Sequence, residues 1–170
     1  MSRKIFSISF RSTAMVMFLV CFLFSPKNSF GGEVKGTLNH PKGTVVLKYA
    51  YFIKGPDSFD SKKMIDRVLL SGNDLTAKIQ ACKTMSCVDG ELTEGLEVDL
   101  VSGPRYNYWM AINGAKVQYS GTLQPSVLKT TAKDAKRIAG KLTFDDTVMT
   151  GPKVEADFDA TLSKEFTQAR

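Results

Sequence analysis

The sequence predicts a mostly β domain: a single antiparallel β-sandwich or barrel with one short α-helix, preceded by a signal peptide. Three observations carry this reading. Gly and Pro punctuate short runs at fairly even spacing along most of the chain. Within those runs apolar and polar residues alternate, the two-residue period of a half-buried strand. The first 31 residues, by contrast, are basic, then apolar, then small.

The leader decides where the protein works. Residues 2–12 carry Arg3, Lys4 and Arg11 and no acid, and residues 13–24 are almost unbroken apolar sequence. Pro26 ends that run, and Ser29-Phe30-Gly31 offers two small residues one apart. This is the pattern of a cleaved secretory signal. Two alternatives compete with it. A membrane anchor needs about 20 apolar residues, and the run holds roughly 12. Lipidation at Cys21 calls for a small residue before it, where Val20 is branched, and Phe22 after it is bulky. The expected division is therefore signal peptide over 1–31 and one β domain over 32–170, periplasmic or extracellular, with no stable membrane anchor after cleavage.

Removing the leader changes the charge. Arg3, Lys4, Arg11 and Lys27 lie within it, so the net charge of +6 falls to about +2. The remaining charges are interspersed, which excludes a nucleic-acid footprint or a polybasic membrane patch. Cys82 and Cys87 remain, an even count in an oxidising compartment, and one disulfide is the simplest reading. His40 is the only histidine, so no metal site and no cofactor are expected. A thioredoxin-like motif has two residues between its cysteines, and here there are four.

The elements follow in order. Residues 33–39 read as a first strand with Val34 and Leu38 on one face, and residues 39–43 as a turn. Residues 44–54 are the strongest strand, β-branched and aromatic on both faces and hence central. A polar loop over 55–63 leads to a strand over 64–71. Asn73 or Asp74 then caps a short helix whose Leu75, Ile79 and Cys82 share one face. Residues 92–102 form the next strand, with Leu96, Val98 and Leu100 on one side and Glu97 and Asp99 on the other. Asn113-Gly114 between the run 105–112 and Val117 is a hairpin signal, because both residues accept positive φ. Pro125 makes 122–131 an edge strand or a loop. Residues 136–145 form a strand, Thr150-Gly151-Pro152 a turn. The last strand points Val154, Ala156, Phe158, Ala160 and Leu162 inward against Glu155, Asp157, Asp159 and Thr161.

Several of these segments carry a resemblance. Lys48-Tyr49-Ala50-Tyr51-Phe52-Ile53, the loop Gly55-Pro56-Asp57-Ser58-Phe59-Asp60 and the stretch Arg67-Val68-Leu69-Leu70-Ser71-Gly72-Asn73-Asp74-Leu75 resemble a pattern of exported bacterial β-sandwich proteins of unknown function. The closing Asp157-Phe158-Asp159-Ala160-Thr161-Leu162 is similar to their final strand. The resemblance covers about half of the mature chain. It implies a bacterial envelope domain and brings no activity and no functional residues.

Candidate binding residues are few. Asp57 and Asp60 flank Phe59 in a turn-rich loop, as a weak Ca²⁺ or ligand loop would require, or as solvated caps of backbone N–H groups with Phe59 against the core. Tyr106, Tyr108 and Trp109, with Tyr49, Tyr51 and Tyr119, could make an aromatic recognition face. Tyr106 and Tyr108 share one parity and Trp109 the other, so at least one set faces the core. Glu91, Glu94, Glu97 and Asp99 leave paired carboxylates open, although Glu97 and Asp99 on a wet face answer solubility alone. No nucleophile elbow, zinc motif or phosphate loop occurs, and no catalytic residue is assigned. The expected function is a non-catalytic exported binding or assembly module of the bacterial envelope. Its partner would be an envelope protein or a small ligand. The alternatives are a carboxylate-based hydrolase of envelope polymers, or a small inhibitor or immunity-type protein.

Overall fold

The computed structural model describes residues 31–100 and 105–170. The signal-peptide reading, the end of the strand expected over 92–102 and Gly103-Pro104 lie outside the described residues. The strands are β1 (Gly32–His40), β2 (Gly43–Pro56), β3 (Met64–Ser71), β4 (Gly95–Leu100), β5 (Tyr106–Ile112), β6 (Ala115–Leu123), β7 (Leu128–Lys133), β8 (Arg137–Asp145) and β9 (Lys153–Glu165). Two helices, α1 (Thr76–Ala81) and α2 (Met85–Glu91), fall between β3 and β4.

The nine strands among the described residues belong to one sheet, in the order β6-β5-β4-β3-β2-β1-β9-β8-β7, and each neighbouring pair in that order is antiparallel. The sheet curls into a half-barrel, so the mostly β, antiparallel expectation holds, and of the two architectures expected the curled sheet lies nearer the barrel than the sandwich. The reason lies in unequal strand lengths. Gly32 opens β1 opposite Ala50, so the last part of β2 has no β1 beside it. There β9 closes onto β2 in parallel, with Phe52 opposite Leu162 and Lys54 opposite Glu165. The curl carries Tyr108 of β5 to a ring distance of 5.1 Å from Phe144 of β8. It also brings Lys133 Nζ of β7 to 3.4 Å from Asp66 Oδ2 of β3. Inward–outward alternation is the same in a sandwich and in a curled sheet, so the sequence pattern could not separate them.

The sheet has two cores. Inside the curl, Val34, Leu38, Phe52, Val68, Leu96, Val98, Tyr108, Phe144, Val154 and Phe158 pack as one cluster. Outside it, Tyr51, Ile53, Ile65 and Leu69 are covered by Leu75, Ile79, Met85, Val88, Leu92 and Phe166. Each large apolar side chain so buried stabilises the fold by roughly 1.5–3 kcal/mol. This second core explains why β2 reads as apolar on both faces. The covering layer presses on Gly55, where a Cβ would stand 2.2 Å from Met85 Sδ.

The second helix corrects the expectation of one. Thr84 caps it, its hydroxyl accepting from the Cys87 N–H at 3.2 Å, and Met85 and Val88 turn to the core. Gly90, a poor helix former, obscures this short segment in the sequence. The 113–114 turn is as expected, with φ of 57° at Asn113 and 69° at Gly114. Pro125 opens a 3-10 turn, Pro125–Val127, and β7 beyond it is an edge strand. On β9 the buried Val154, Ala156, Phe158 and Ala160 alternate with the exposed Glu155 and Asp157, Asp159 being half-buried.

Candidate functional site

On the outer face of β3, β4 and β5 the register sets Arg67 opposite Asp99, Leu69 opposite Glu97, and Glu97 opposite Trp109. Arg67, Glu97 and Asp99 are 3%, 5% and 6% exposed. Glu97 and Asp99 therefore share the outer face, as their parity requires, but they are not wet, because α2 and the loop over 57–63 rise beside them. The three side chains form the floor of a cleft of about 240 Å³. Asp57, Ser58, Phe59, Ser86, Asp89, Asn107, Trp109 and Arg170 complete its walls.

Arg67 organises the floor. Its Nε donates to Asp99 Oδ1 at 2.5 Å and its Nη2 to Asp99 Oδ2 at 3.1 Å. Nη1 donates to Asp89 Oδ1 of α2. The guanidinium carbon lies 6.0 Å from the centre of the Trp109 ring. Glu97 Oε1 stands 3.7 Å from Nη1, outside hydrogen-bond range. Burial works against the Arg67 charge, but Glu97, Asp99 and Asp89 outweigh it and hold the pKa above its ordinary value. Burial pushes Glu97 the other way, up to about 8 despite the nearby guanidinium. Burial also raises Asp89, again against the pull of Arg67. Three acids thus share one cation, and the least well paired of them, Glu97, is the one that takes up a proton.

The loop above the floor is built by its own aspartates. Asp57 Oδ1 accepts from the Phe59 N–H at 2.7 Å and Asp60 Oδ1 from the Lys62 N–H at 3.2 Å. Asp57 and Phe59 line the cleft, and Asp60 does not. Phe59 is 87% exposed at the rim rather than set against the core. The aromatic triplet divides by parity. Trp109 stands in the cleft, while Tyr106 packs on the inner core and Tyr108 is wholly buried there, its hydroxyl donating to Asp146 Oδ2 at 2.6 Å. Tyr106 and Tyr108 thus face the inner core and lie apart from the cleft, while Trp109 faces it, the division that their parity requires.

Cys82 and Cys87 are disulfide-bonded, with Cα atoms 5.5 Å apart, and join the end of α1 to the start of α2. Lys164 Nζ donates to the carbonyls of Gln80, at 2.7 Å, and Cys82, closing the end of α1. The tail after β9 then crosses α2, with Met85 N–H donating to Gln168 O at 3.2 Å and Ser86 N–H to Ala169 O at 3.0 Å. That path sets Arg170 at the cleft. His40 is held at an exposed turn, its Nε2 3.1 Å from Thr150 O and its Nδ1 accepting from the Lys42 N–H. Among the described residues no group of three or more His, Cys, Asp or Glu side chains is arranged to hold a metal ion. Among the described residues, too, no helix is long and apolar enough to cross a membrane.

Compared with known proteins, the chain matches no family model, no curated protein and no solved structure. The resemblance to exported bacterial β proteins therefore rests on its motifs alone.

Sequence reasoning missed Arg67, Ser86, Asp89, Asn107 and Arg170. A signal for Arg67 existed: it is the only cation in a strand apolar on both faces, and a buried guanidinium demands acids on the neighbouring strand. Asp89 lay hidden because α2 itself was not foreseen.

Proposed function

We propose that this protein is a non-catalytic, exported binding module of the bacterial envelope, with the cleft above Arg67 as its recognition site. One observation carries the reading. A desolvated charge cluster, Trp109 and the 87%-exposed Phe59 meet at one cleft on the outer face of the sheet. Binding sites combine apolar, aromatic walls with a few placed polar groups in this way. Phe59 has no fold-stabilising packing at that exposure, and an aromatic rim suits a partner surface. Export is supported by the leader and by the bonded cysteines, which persist in oxidising compartments.

A carboxylate-based hydrolase is the less supported alternative. Its two acids must flank the bond they cleave from opposite sides. Here Asp89 on the wall and Glu97 and Asp99 on the floor all converge on one guanidinium. Nothing particular favours the inhibitor or immunity-type reading over a general binding module.

The test is site-specific photocrosslinking in the native envelope. A crosslinker at Phe59 is expected to trap a discrete partner, and W109A to abolish the product. The same crosslinker at Thr143, exposed on the outer face of β8, is expected to trap nothing discrete. Equal products from both positions, or no product from Phe59, sinks the reading.

A further inference from the structure

We propose that the cleft binds an organic cation, a guanidinium or primary ammonium group on a short alkyl stem, between the Trp109 ring and the Glu97 carboxylate. This deepens the reading of the cleft as a recognition site and rests on it. The first support is Glu97 itself. It is 5% exposed and lines the cleft, and its carboxyl accepts no hydrogen bond from any described side chain, meeting only Arg67 at 3.7 Å. Among the described residues no sealed side-chain oxygen lacks a partner, so the Glu97 oxygens open onto the cleft, where donors from a ligand can reach them. The neighbouring cation is already taken: Arg67 is engaged by both oxygens of Asp99 and by Asp89, and meets Glu97 only at 3.7 Å. Donors from a bound cation would complete the site.

The surroundings select the same chemistry. The charged groups facing Glu97 are Arg67 on β3, Asp99 on its own strand, Asp89 on α2, Asp57 on the overhanging loop and Arg170 on the tail. Acids outnumber bases among them. An anion would meet desolvated carboxylates, whereas a cation meets a carboxyl that can ionise to pair with it and the face of an indole. Trp109 already lies beside one guanidinium, Arg67, so its position suits a second planar cation stacked from the solvent side. The tail also brings Arg170 to the same walls.

Binding has a proton balance. At neutral pH Glu97 is mostly protonated, since burial raises it to about 8. The entering cation keeps its own proton. The Glu97 O–H bond breaks, its proton leaves to solvent, and the carboxylate pairs with the ligand. Affinity therefore rises with pH until Glu97 is ionised without help.

Trp109 is the only tryptophan in the chain, so its fluorescence reports the site. The experiment titrates the full chain with n-butylguanidinium, and separately with a terminally blocked Gly-Arg-Gly peptide. The expected result is a saturable change, about tenfold tighter near pH 8.5 than near pH 6.5. Tighter binding of the peptide assigns the cation to a partner protein's side chain, and tighter binding of the free cation to a small molecule. E97Q, a neutral isostere that mimics the protonated side chain and so keeps the fold, is expected to weaken binding about tenfold at the higher pH and to erase the pH dependence. No saturable response to either probe, or a response that E97Q leaves unchanged, overturns the inference. Saturation by n-butyrate or n-butanol with no response to the cations would overturn the ligand class while leaving the cleft as a binding site.

Discussion

Arg67 and Asp99 form a two-pronged ion pair on the outer face of the sheet, with both side chains under a tenth exposed. Arg137 and Asp159 make the same two-pronged contact, at 2.8 and 2.6 Å, with side chains about half exposed. The two pairs share chemistry and differ in burial, so they isolate what burial does. Removing one partner of a buried pair costs up to about 3–5 kcal/mol where it strands the other charge, and D99N, which leaves Arg67 its bond to Asp89, falls below that limit. An exposed pair contributes little, because solvent screens it. D99N is therefore expected to be several times more destabilising than D159N in urea unfolding. Equal losses would show that the floor of the cleft is hydrated and that Arg67 is not confined.

Glu97 makes stability depend on pH in the direction opposite to most acids. Its folded pKa, about 8, lies above its unfolded value. Between the two, the folded state holds a proton that the unfolded state has released. Stability from this group is thus complete at acid pH, declines as pH rises through the unfolded pKa, and stops declining above about 8. E97Q removes the penalty. It is expected to match the wild type near pH 4 and to exceed it near pH 9 by several kcal/mol, about 1.4 kcal/mol for each unit by which the folded pKa lies above the unfolded one. The measurement is the difference in unfolding free energy at the two pH values. A constant difference would mean that Glu97 is ionised throughout.

The Cys82–Cys87 bond closes a short loop, so it restricts the unfolded chain only modestly. The C82S/C87S variant is expected to fold and to lose stability at the low end of about 2–4 kcal/mol. Because α2 carries Asp89 and Ser86 into the cleft, the loss should be felt there too. Amide exchange in residues 85–91 is expected to rise more than exchange in β8. Two free thiols in protein recovered from the envelope would remove the bond from the native state.

How much of this was legible depended on whether a local pattern implied a unique partner. The strands were legible because apolar alternation and turn chemistry are local: Asn113-Gly114 needs nothing beyond its own φ values. The curl was not, because it arises where β9 meets the unpaired end of β2, far apart in sequence. At the cleft, Trp109, Asp57 and Phe59 showed themselves by type and by loop chemistry. Tyr108 misled for a physical reason: an aromatic with a polar tip suits an interface and a core equally, and Asp146 satisfies its hydroxyl inside. Glu97 and Asp99 misled because parity gives the face of a residue and not what covers that face.

The start of α1 shows the same limit and yields the last prediction. Leu75, at the position where a cap residue stands, has no side-chain oxygen to offer. Its own N–H, buried with the rest of the residue, donates instead to the Tyr51 hydroxyl at 2.7 Å. That hydroxyl donates in turn to Asp74 Oδ1 at 2.8 Å, and the same oxygen accepts from the Thr76 N–H at 2.8 Å. A sheet residue thus supplies the cap from across the outer core. The hydrogen bonds from Thr76 and from Tyr51 hold Asp74 below its ordinary pKa, and burial pushes Tyr51 up to about 12. Y51F keeps the ring and its packing but leaves the Leu75 N–H without an acceptor, which costs about 1–3 kcal/mol. Removing a donor from Asp74 also raises its pKa, so the stability that Asp74 contributes above its unfolded pKa shrinks. The Y51F deficit is therefore expected to be larger at neutral pH than near pH 3, with faster amide exchange at Leu75 and Thr76 and no change at the cleft. A deficit independent of pH would separate Tyr51 from Asp74 and leave the cap to Leu75 alone.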